Sequence, residues 1–268
     1  MIKNPQRCAI VEHVEIASQT MRLVVEAPDV AQSAVPGQFA HILCGLSYDP
    51  LLRRPISIHD ADADQGLVSF LYEIRGRGTA LLAEKGVGDV VDLIAPLGNG
   101  FTLPTSPKQR VALVGGGIGV APLRFLARRI SEVVPSSPIS VMVGAQTLDR
   151  LLCREEFADV CCDLGISTDD GSSGTCGFVT DLLSNYLNAH DGEPPIIYAC
   201  GPYPMLARIA SITKDFQVNC QVSLEARMAC GVGACMSCVV KVKSGDAFKY
   251  VRCCKEGPVF DASEVVWK

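Results

Sequence analysis

Apolar and polar positions alternate, in part, along short segments of the first hundred residues. The segments are 10–16, 21–27, 38–43, 54–58, 66–74 and 89–94. A period of two predicts β-strands, and Gly and Pro residues separate the segments. One short helix is predicted over 79–84, with Thr79 as its N-cap. Six or so strands at this spacing indicate a small antiparallel β-barrel over residues 1–101.

The pattern changes at Arg110, where apolar runs begin to alternate with amphipathic ones. Apolar strands are predicted at 111–114, 139–143, 166–168 and 196–200, and helices at 120–130, around 152–160 and from 177. Strands that alternate with helices predict an open, mostly parallel α/β sheet over residues 110–218. The polar, proline-containing segment 102–109 is the expected linker, and residues 219–268 form a small C-terminal domain.

Composition limits the classes of function. The chain has 268 residues, of which 48% are hydrophobic and 20% charged, and a formal net charge of −5 argues against nucleic acid as the main partner. No apolar run reaches the roughly 18 residues of a membrane span. The first residues lack the apolar core of a signal peptide. Thirteen cysteines in such a chain favour metal binding in a reducing cytoplasm over disulfides.

Cysteines are concentrated in the last 50 residues. Cys230, Cys235 and Cys238 follow the spacing C-x4-C-x2-C, and a fourth thiol follows at Cys253 or Cys254. This spacing is typical of a [2Fe–2S] ferredoxin loop. Zinc also takes four thiolates, but its usual sites combine two short C-x2-C pairs. The other cysteines outside the strand end at 200 are interpreted as small buried hydrophobic residues: Cys8, Cys44, Cys153, Cys161, Cys162, Cys176 and Cys220.

Two glycine-containing turns follow apolar strands of the predicted sheet. The first contains Gly115, Gly116, Gly117 and Gly119, with Pro122 in the first turn of the next helix; the second is Cys200-Gly201-Pro202. Ligands of open α/β sheets bind at the carboxyl ends of strands, and a helix N-terminus favours phosphate. Together the turns predict a nucleotide site. Glycines alone are equally compatible with a tight turn that binds nothing.

The predicted barrel contains two anion-seeking features. Arg54 and Ser57 lie on one strand, and Gly78 and Thr79 lie at the predicted helix start. Arginine and a helix N-terminus both suit a pyrophosphate. Taken singly, Arg54 is an ordinary surface arginine and Gly78 an ordinary turn residue.

The order of these motifs resembles the ferredoxin–NADP reductase superfamily over essentially the whole chain. The motifs are R-P-I-S, G-x-G-T, G-G-G-x-G-x-A-P and C-G-P-x-P-M. The C-terminal R-M-A-C-G-x-G-A-C-x-x-C and C-K-E-G-P-V-F segments narrow the resemblance to the electron-transfer subunits of class 1B dihydroorotate dehydrogenases. The resemblance implies FAD on the barrel, NAD(H) on the α/β domain, and a [2Fe–2S] cluster facing a separate FMN subunit, in a heterotetramer that serves pyrimidine biosynthesis.

The resemblance also implies roles for matching residues. Those for FAD are Arg54, Pro55, Ile56, Ser57, Leu71, Tyr72, Glu73, Gly78 and Thr79. The cluster ligands are Cys230, Cys235, Cys238 and Cys254, because the family cysteine directly precedes a [K/S]-[D/E]-G-P-V-F segment, here residues 255–260. Cys253 and Cys254 cannot easily face one iron together, since neighbours on an extended chain point to opposite sides.

Two other functions remain open at this stage. The same electron module can serve another oxidoreductase complex, of the hydrogenase or sulfide dehydrogenase type. Alternatively, the chain is a non-catalytic, zinc-stapled binding protein. No side chain is predicted to act as a general acid or base, because the cofactors supply the chemistry. His13, His41, His59 and His190 match no ligand spacing and are interpreted as structural or surface residues.

Overall fold

The N-terminal part of the chain folds into a closed barrel, as predicted. The computed structural model describes residues 4–45, 48–189 and 192–267. The barrel strands are β1 (Gln6–Ala17), β2 (Thr20–Glu26), β3 (Phe39–Leu43), β4 (Arg54–Asp62), β5 (Leu67–Glu73) and β6 (Val90–Leu97). They are antiparallel, in the order β1-β2-β5-β4-β3-β6. Helices α1 (Pro28–Ser33), which the sequence did not predict, and α2 (Arg77–Ala83) lie in the connections.

The second part is a seven-stranded sheet with helices. Its first five strands are β7 (Val111–Gly116), β8 (Ile139–Ala145), β9 (Asp163–Thr168), β10 (Thr175–Cys176) and β11 (Ile196–Cys200). The helices are α3 (Ala121–Val133), α4 (Arg154–Ala158), α5 (Val179–Ala189) and α6 (Tyr203–Asp215), and a 3-10 turn at Gly117–Val120 precedes α3. These strands pair in parallel, which confirms the predicted class.

The sheet continues into the C-terminal segment. Strand β12 (Cys220–Ser223) pairs in parallel with β11, and β15 (Val259–Asp261) pairs antiparallel with β12. The remaining strands, β13 (Val239–Ser244) and β14 (Ala247–Arg252), form a separate hairpin. The order of the large sheet is β10-β9-β8-β7-β11-β12-β15. The boundary expected at residues 218/219 therefore falls just before a strand that the sheet includes.

Buried side chains join the C-terminal segment to the sheet. One core contains Leu183 of α5, Val222 of β12 and Phe260 of β15 together with Cys238 and Cys253. A second core fills the barrel, and a third lies on the opposite face of the sheet, against α3. Among the described residues, no helix has the length and apolar character needed to cross a membrane.

Two local predictions are wrong. Thr79 is not the N-cap of α2: the cap is Gly76, and the Thr79 hydroxyl accepts hydrogen bonds from the backbone N–H groups of Arg75 (3.0 Å) and Gly76 (3.3 Å) from inside the first turn. Of the cysteines expected to be buried, Cys153 and Cys161 are only half-buried, and Cys162 and Cys176 are exposed. Cys162 immediately precedes β9, and Cys176 lies in the edge strand β10, where a thiol has no core to enter.

Candidate functional site

A cleft of about 840 Å³ lies between the barrel and the sheet. This barrel–sheet cleft brings together most of the residues predicted for it from the barrel: Arg54, Pro55, Ile56, Ser57, Leu71, Tyr72, Glu73 and Thr79. From the sheet side it is lined by Gly119, Pro122 and Cys200, which had been grouped with the nucleotide turns. Its far wall is the segment 223–228, which leads into the cysteine-rich loop. Sequence reasoning missed that wall.

Arg54 lies directly over the start of α2. A Cβ atom added to Gly78 would come within 2.8 Å of Arg54 Nε, so only glycine leaves room for the guanidinium group. Arg54 Nη1 donates to the carbonyl oxygen of Leu52 at 2.6 Å, which holds the side chain in place. The cation and the backbone N–H groups of the first helical turn together form a surface that suits a pyrophosphate.

A second cleft of about 870 Å³ opens at the carboxyl ends of β7, β8 and β11. This strand-end cleft includes three residues predicted for the nucleotide: Gly116, Gly117 and Pro202. It also includes Met205, the last residue of the C-G-P-x-P-M motif, together with Phe178 and Arg208, to which the sequence analysis assigned no role. Phe178 is 64% exposed, as expected for an aromatic ring that a bound ligand covers. The only signal for Phe178 that the sequence offered was its position directly after Gly177.

The two clefts share a wall. Glu73 and Arg75 line both, and Arg75 Nε donates to a carboxylate oxygen of Glu73. Glu225 lines the barrel–sheet cleft nearby; burial in this wall and the charge of Glu73 raise the pKa of its carboxyl group, while Arg75 opposes the shift. A ligand in one cleft is therefore separated from a ligand in the other by only two or three side chains.

The glycine-rich turn between β7 and α3 is shaped partly by packing. A Cβ atom on Gly119 would lie 2.5 Å from the carbonyl oxygen of Cys200 and from Gly201, so the two predicted turns touch through their backbones. Gly117 differs: its φ is +54°, and an added Cβ would meet nothing within 4 Å. Gly115 and Gly201 do not line either cleft; they pack against Val120 and Met205. The interpretation of a tight turn thus explains part of this motif.

The predicted cluster thiols lie in two pairs. Cys235 is close enough to Cys230 to help lower the pKa of its thiol, and burial together with the neighbouring Cys238 raises the pKa of Cys254. In the described part of the chain, no three of these cysteines have sulfur atoms that all lie within 4.8 Å of one another. A single zinc ion with Zn–S bonds of about 2.3 Å would hold its four sulfurs about 3.8 Å apart. Two pairs suit two bridged irons better.

Backbone N–H groups of the cysteine loop (residues 230–238) point at the thiol sulfurs. Gly233 N–H donates to Cys254 Sγ at 3.1 Å, and Ala234 N–H donates to Cys230 Sγ at 3.3 Å. Burial raises the pKa of Cys230, but hydrogen bonds from the backbone of Val232 and Ala234 and from Cys235 lower it to about 6. Such donors stabilise thiolates that bind a cluster. The loop is suited to an anionic metal–sulfur centre.

Cys253 and Cys254 face different surroundings. Cys254 N–H donates to Cys238 Sγ at 3.4 Å, whereas the Cys253 thiol donates to the carbonyl oxygen of Leu224, also at 3.4 Å. Cys253 is fully buried in the core of the C-terminal segment, and burial raises the pKa of its thiol to about 12. The two thiols therefore have different neighbours, but the reason is not the one expected: both residues lie in the turn that follows β14, and not on an extended strand.

Three histidines lie within the described ranges, and none of them lines either cleft; His190 lies outside those ranges. His13 bonds the Lys85 carbonyl oxygen at 2.7 Å and the Tyr72 hydroxyl at 2.8 Å. His59, close to Cys153 and Glu156, has both ring nitrogens engaged, by the Ala121 carbonyl oxygen at 2.8 Å and Glu156 at 2.9 Å. It links barrel and sheet. His41 is buried against the cysteine loop, where burial and the nearby Arg53 lower its pKa to about 4.

Comparison with known proteins agrees with this geometry. Residues 225–266 match the iron–sulfur cluster binding domain of dihydroorotate dehydrogenase B, and residues 113–211 match the oxidoreductase NAD-binding domain. A dihydroorotate dehydrogenase B (NAD(+)) electron transfer subunit from Desulforamulus reducens is 41% identical over 94% of this chain and 95% of its own length. The corresponding subunit from Bacillus caldolyticus is 43% identical over 97% and 98%.

The chain belongs to the family of dihydroorotate dehydrogenase B electron transfer subunits. It is therefore an oxidoreductase subunit with an iron–sulfur cluster binding domain and an NAD-binding domain. The resemblance stated from the motifs is confirmed.

Solved structures extend the comparison. A structure of NADH-dependent reduced ferredoxin-NADP oxidoreductase, described for flavin-based electron bifurcation, matches with a TM-score of 0.84 and 32% identity over 97% of this chain and 90% of that chain. The ferredoxin reductase in carbazole 1,9a-dioxygenase matches with a TM-score of 0.66 and 20% identity over 81% and 66%. At that identity the second match shows the shared fold alone.

Proposed function

We propose that this electron transfer subunit moves electrons between an FMN-containing dihydroorotate dehydrogenase subunit and NAD, through a [2Fe–2S] cluster and FAD, in pyrimidine biosynthesis. The supporting observation is the order of the three sites. The barrel–sheet cleft shares Glu73 and Arg75 with the strand-end cleft, and its far wall leads directly into the cysteine loop. A ligand in the barrel–sheet cleft is the natural intermediate between the other two.

FAD is assigned to the barrel–sheet cleft. When bound, FAD exchanges a hydride with a nicotinamide and single electrons with an iron–sulfur cluster. Arg54 and the first turn of α2, with Gly78 and Thr79, would hold its pyrophosphate. The flavin ring would lie against Pro55, Ile56 and Ser57 on β4 and against Leu71, Tyr72 and Glu73 on β5. A cleft of this size with a fixed cation at one end fits a dinucleotide with an apolar ring.

The nicotinamide nucleotide and the cluster are assigned to the neighbouring sites. The turn residues Gly115, Gly116, Gly117, Gly119, Pro122, Cys200, Gly201 and Pro202 would shape the strand-end cleft and its junction with the flavin. Cys230, Cys235, Cys238 and Cys254 would bind the cluster. The functional units we propose are 1–101 for FAD, 110–218 for NAD(H) and 219–268 for the cluster, although β12 and β15 belong to the large sheet.

The cluster is proposed to face a partner in the cytoplasm. The cysteine loop has no charged residue, and Val232 and Met236 on it are 44% and 51% exposed. An apolar surface at an electron exit is expected to be covered by another protein. The partner we propose is the FMN catalytic subunit, in a heterotetramer of two of each.

Reconstitution tests the proposal. The isolated chain should oxidise NADH with artificial dyes, but it should oxidise dihydroorotate with NAD only after it forms a stable complex with the FMN subunit. The complex with Cys230→Ser should lose that reaction, while NADH–dye activity of the chain persists. If the mutant complex still transfers electrons from dihydroorotate to NAD at the normal rate, the cluster does not lie on the path.

A second candidate is the same module in another oxidoreductase complex. The observation that favours it is the 32% identity to the chain of a ferredoxin-NADP oxidoreductase structure. Co-purification from the native cell decides between them. A co-purifying subunit that contains FMN and no iron supports dihydroorotate as the electron source, whereas an iron-rich partner favours the second candidate.

A further inference from the structure

His41 occupies an unusual position for a histidine that lacks a sequence motif. It lies on β3, paired with Pro55 of β4 on one side and Ile94 of β6 on the other. Its side chain is 1% exposed, and in the described part of the chain neither ring nitrogen has a hydrogen-bond partner. Leaving a buried ring donor or acceptor unsatisfied costs about 1–3 kcal/mol. Such a group in a native structure needs an explanation.

The cysteine loop passes directly over this ring. Gly231 has a φ of +68°, and a Cβ atom added there would lie 2.5 Å from His41 Nδ1. Gly231 directly follows Cys230. Burial and Arg53 lower the pKa of His41, and the backbone of Cys230 lies close enough to the imidazole to oppose that shift. The loop therefore approaches the histidine as closely as a backbone without a side chain allows.

The same strand forms the wall of the barrel–sheet cleft. Phe39, two residues before His41 and thus on the same face of β3, lines that cleft, and so does Pro55. Arg53 fixes the backbone at this point, since its Nη1 donates to the carbonyl oxygens of His41 at 3.3 Å and of Asp92 at 2.9 Å. His41 is thus the side chain between the wall of one proposed cofactor site and the loop of the other.

We propose that His41 is a positioning residue for electron transfer: its ring N–H bonds the cluster-loaded loop at Cys230 and fixes the cluster relative to the flavin cleft. The inference rests on the proposed function of the two sites. It accounts for the unsatisfied ring, for the glycine at 231 and for the anchoring of β3 by Arg53. Loss of the donor should leave flavin chemistry intact and change only the cluster and the step that connects it to the flavin.

The test uses the full chain with both cofactors and needs no partner subunit. His41→Phe keeps an apolar ring of similar size without a donor, His41→Gln keeps a donor, and Ile42→Val is the control on the opposite face of β3. Iron and FAD contents, the EPR spectrum of the reduced cluster, and stopped-flow rates after mixing with NADH are measured. We expect His41→Phe to alter the EPR spectrum and to slow cluster reduction about tenfold, as expected for one lost hydrogen bond.

The other variants and rates complete the prediction. His41→Gln should recover much of the rate, Ile42→Val should match the wild type, and FAD reduction by NADH should be unchanged throughout. A wild-type EPR spectrum and cluster-reduction rate in His41→Phe would overturn the inference. So would equal effects of His41→Phe and Ile42→Val.

A measurement on the unmutated protein covers the case in which His41→Phe does not fold. The chain is labelled with 15N only at histidine, and pulsed EPR of the reduced cluster is recorded. A weak 15N coupling that disappears in His41→Gln supports the contact; no such coupling in the wild type, or one that persists in His41→Gln, refutes it. Because these readouts need no dihydroorotate, they stand apart from failure of the proposed partner.

Discussion

The glycine-rich turn at residues 115–119 and the cysteine loop at residues 230–238 both place glycines beside a proposed anionic ligand, for different reasons. In the turn, Gly119 is required by the neighbouring backbone of Cys200 and Gly201. In the loop, Gly231 makes room for a side chain, His41, and the N–H of Gly233 points at a thiol. The turn is thus maintained by the fold itself, whereas the loop is organised toward its ligand.

The largest expected effect distinguishes Cys254 from Cys253 as the fourth cluster ligand. Cys254→Ser should abolish or badly disturb the cluster, because Cys254 pairs with Cys238 and receives the Gly233 N–H. Cys253→Ser should retain it. Iron, acid-labile sulfide and the visible spectrum report the outcome. Retention in Cys254→Ser with loss in Cys253→Ser would reverse the assignment.

A smaller effect is expected within the glycine-rich turn. Gly119→Ala forces a methyl group against backbone atoms 2.5 Å away and should cost about 3 kcal/mol of stability. Gly117→Ala meets no neighbour and should cost about 1 kcal/mol for its positive φ. Thermal melting of the FAD-loaded chain should show the larger drop for Gly119→Ala. Equal melting temperatures would mean that the two turns yield easily to each other.

The corresponding change in the loop should affect the cluster more than the fold. Gly231→Ala adds a methyl group 2.5 Å from His41 Nδ1 at a φ of +68°, so we expect roughly tenfold faster loss of the cluster in air. Gly245→Ala is the matched control, since its φ is +60° and nothing lies within 4 Å. Bleaching of the visible absorption gives the rates. Identical rates in both variants would attribute the effect to backbone conformation alone.

The smallest effect concerns the ligand of the glycine-rich turn. We expect NADH to be preferred over NADPH, because the segment from Gly144 to Asp149, at the end of β8 and just beyond it, contains no arginine for a 2′-phosphate. Arg150 and Arg208 line the strand-end cleft, so they are the residues that test this. Arg150→Ala should change kcat/KM for NADH by no more than about twofold, as for a charge that is still partly exposed to solvent. Comparable kcat/KM values for NADH and NADPH in the wild type would contradict the preference.

Much of the fold follows from local patterns. Alternation predicted the barrel strands, and apolar runs between helices predicted β7, β8 and β11, because these segments carry their own periodicity. β15 has three residues, and β12 has four; segments so short carry too little pattern, and both join the sheet through partners far away in sequence. Helix α6 was not predicted, because the prolines at its start, Pro202 and Pro204, indicate a turn as readily as a helix N-terminus.

The residues of the candidate site were likewise predictable only where a local motif contains them. C-x4-C-x2-C and the barrel motifs named their residues because spacing carries the chemistry. His41, Glu225 and Phe178 belong to no motif with a diagnostic spacing; folding brings Glu225 and Phe178 to the clefts and His41 to the cysteine loop. A histidine between two apolar residues of a strand is compatible with any protein interior. The sequence therefore could not show that His41 lies against Gly231, 190 residues further along the chain.

Strand β15 protects one edge of the large sheet. It covers the outer edge of β12 with Gln221–Asp261, Val222–Phe260 and Ser223–Val259 pairs, and it is reached through the Cys254 segment that the proposed cluster anchors. An uncovered strand edge is a template for pairing with other chains. By occupying that edge, β15 protects the large sheet from such pairing, and its direct connection to the Cys254 segment places this protection beside the proposed cluster.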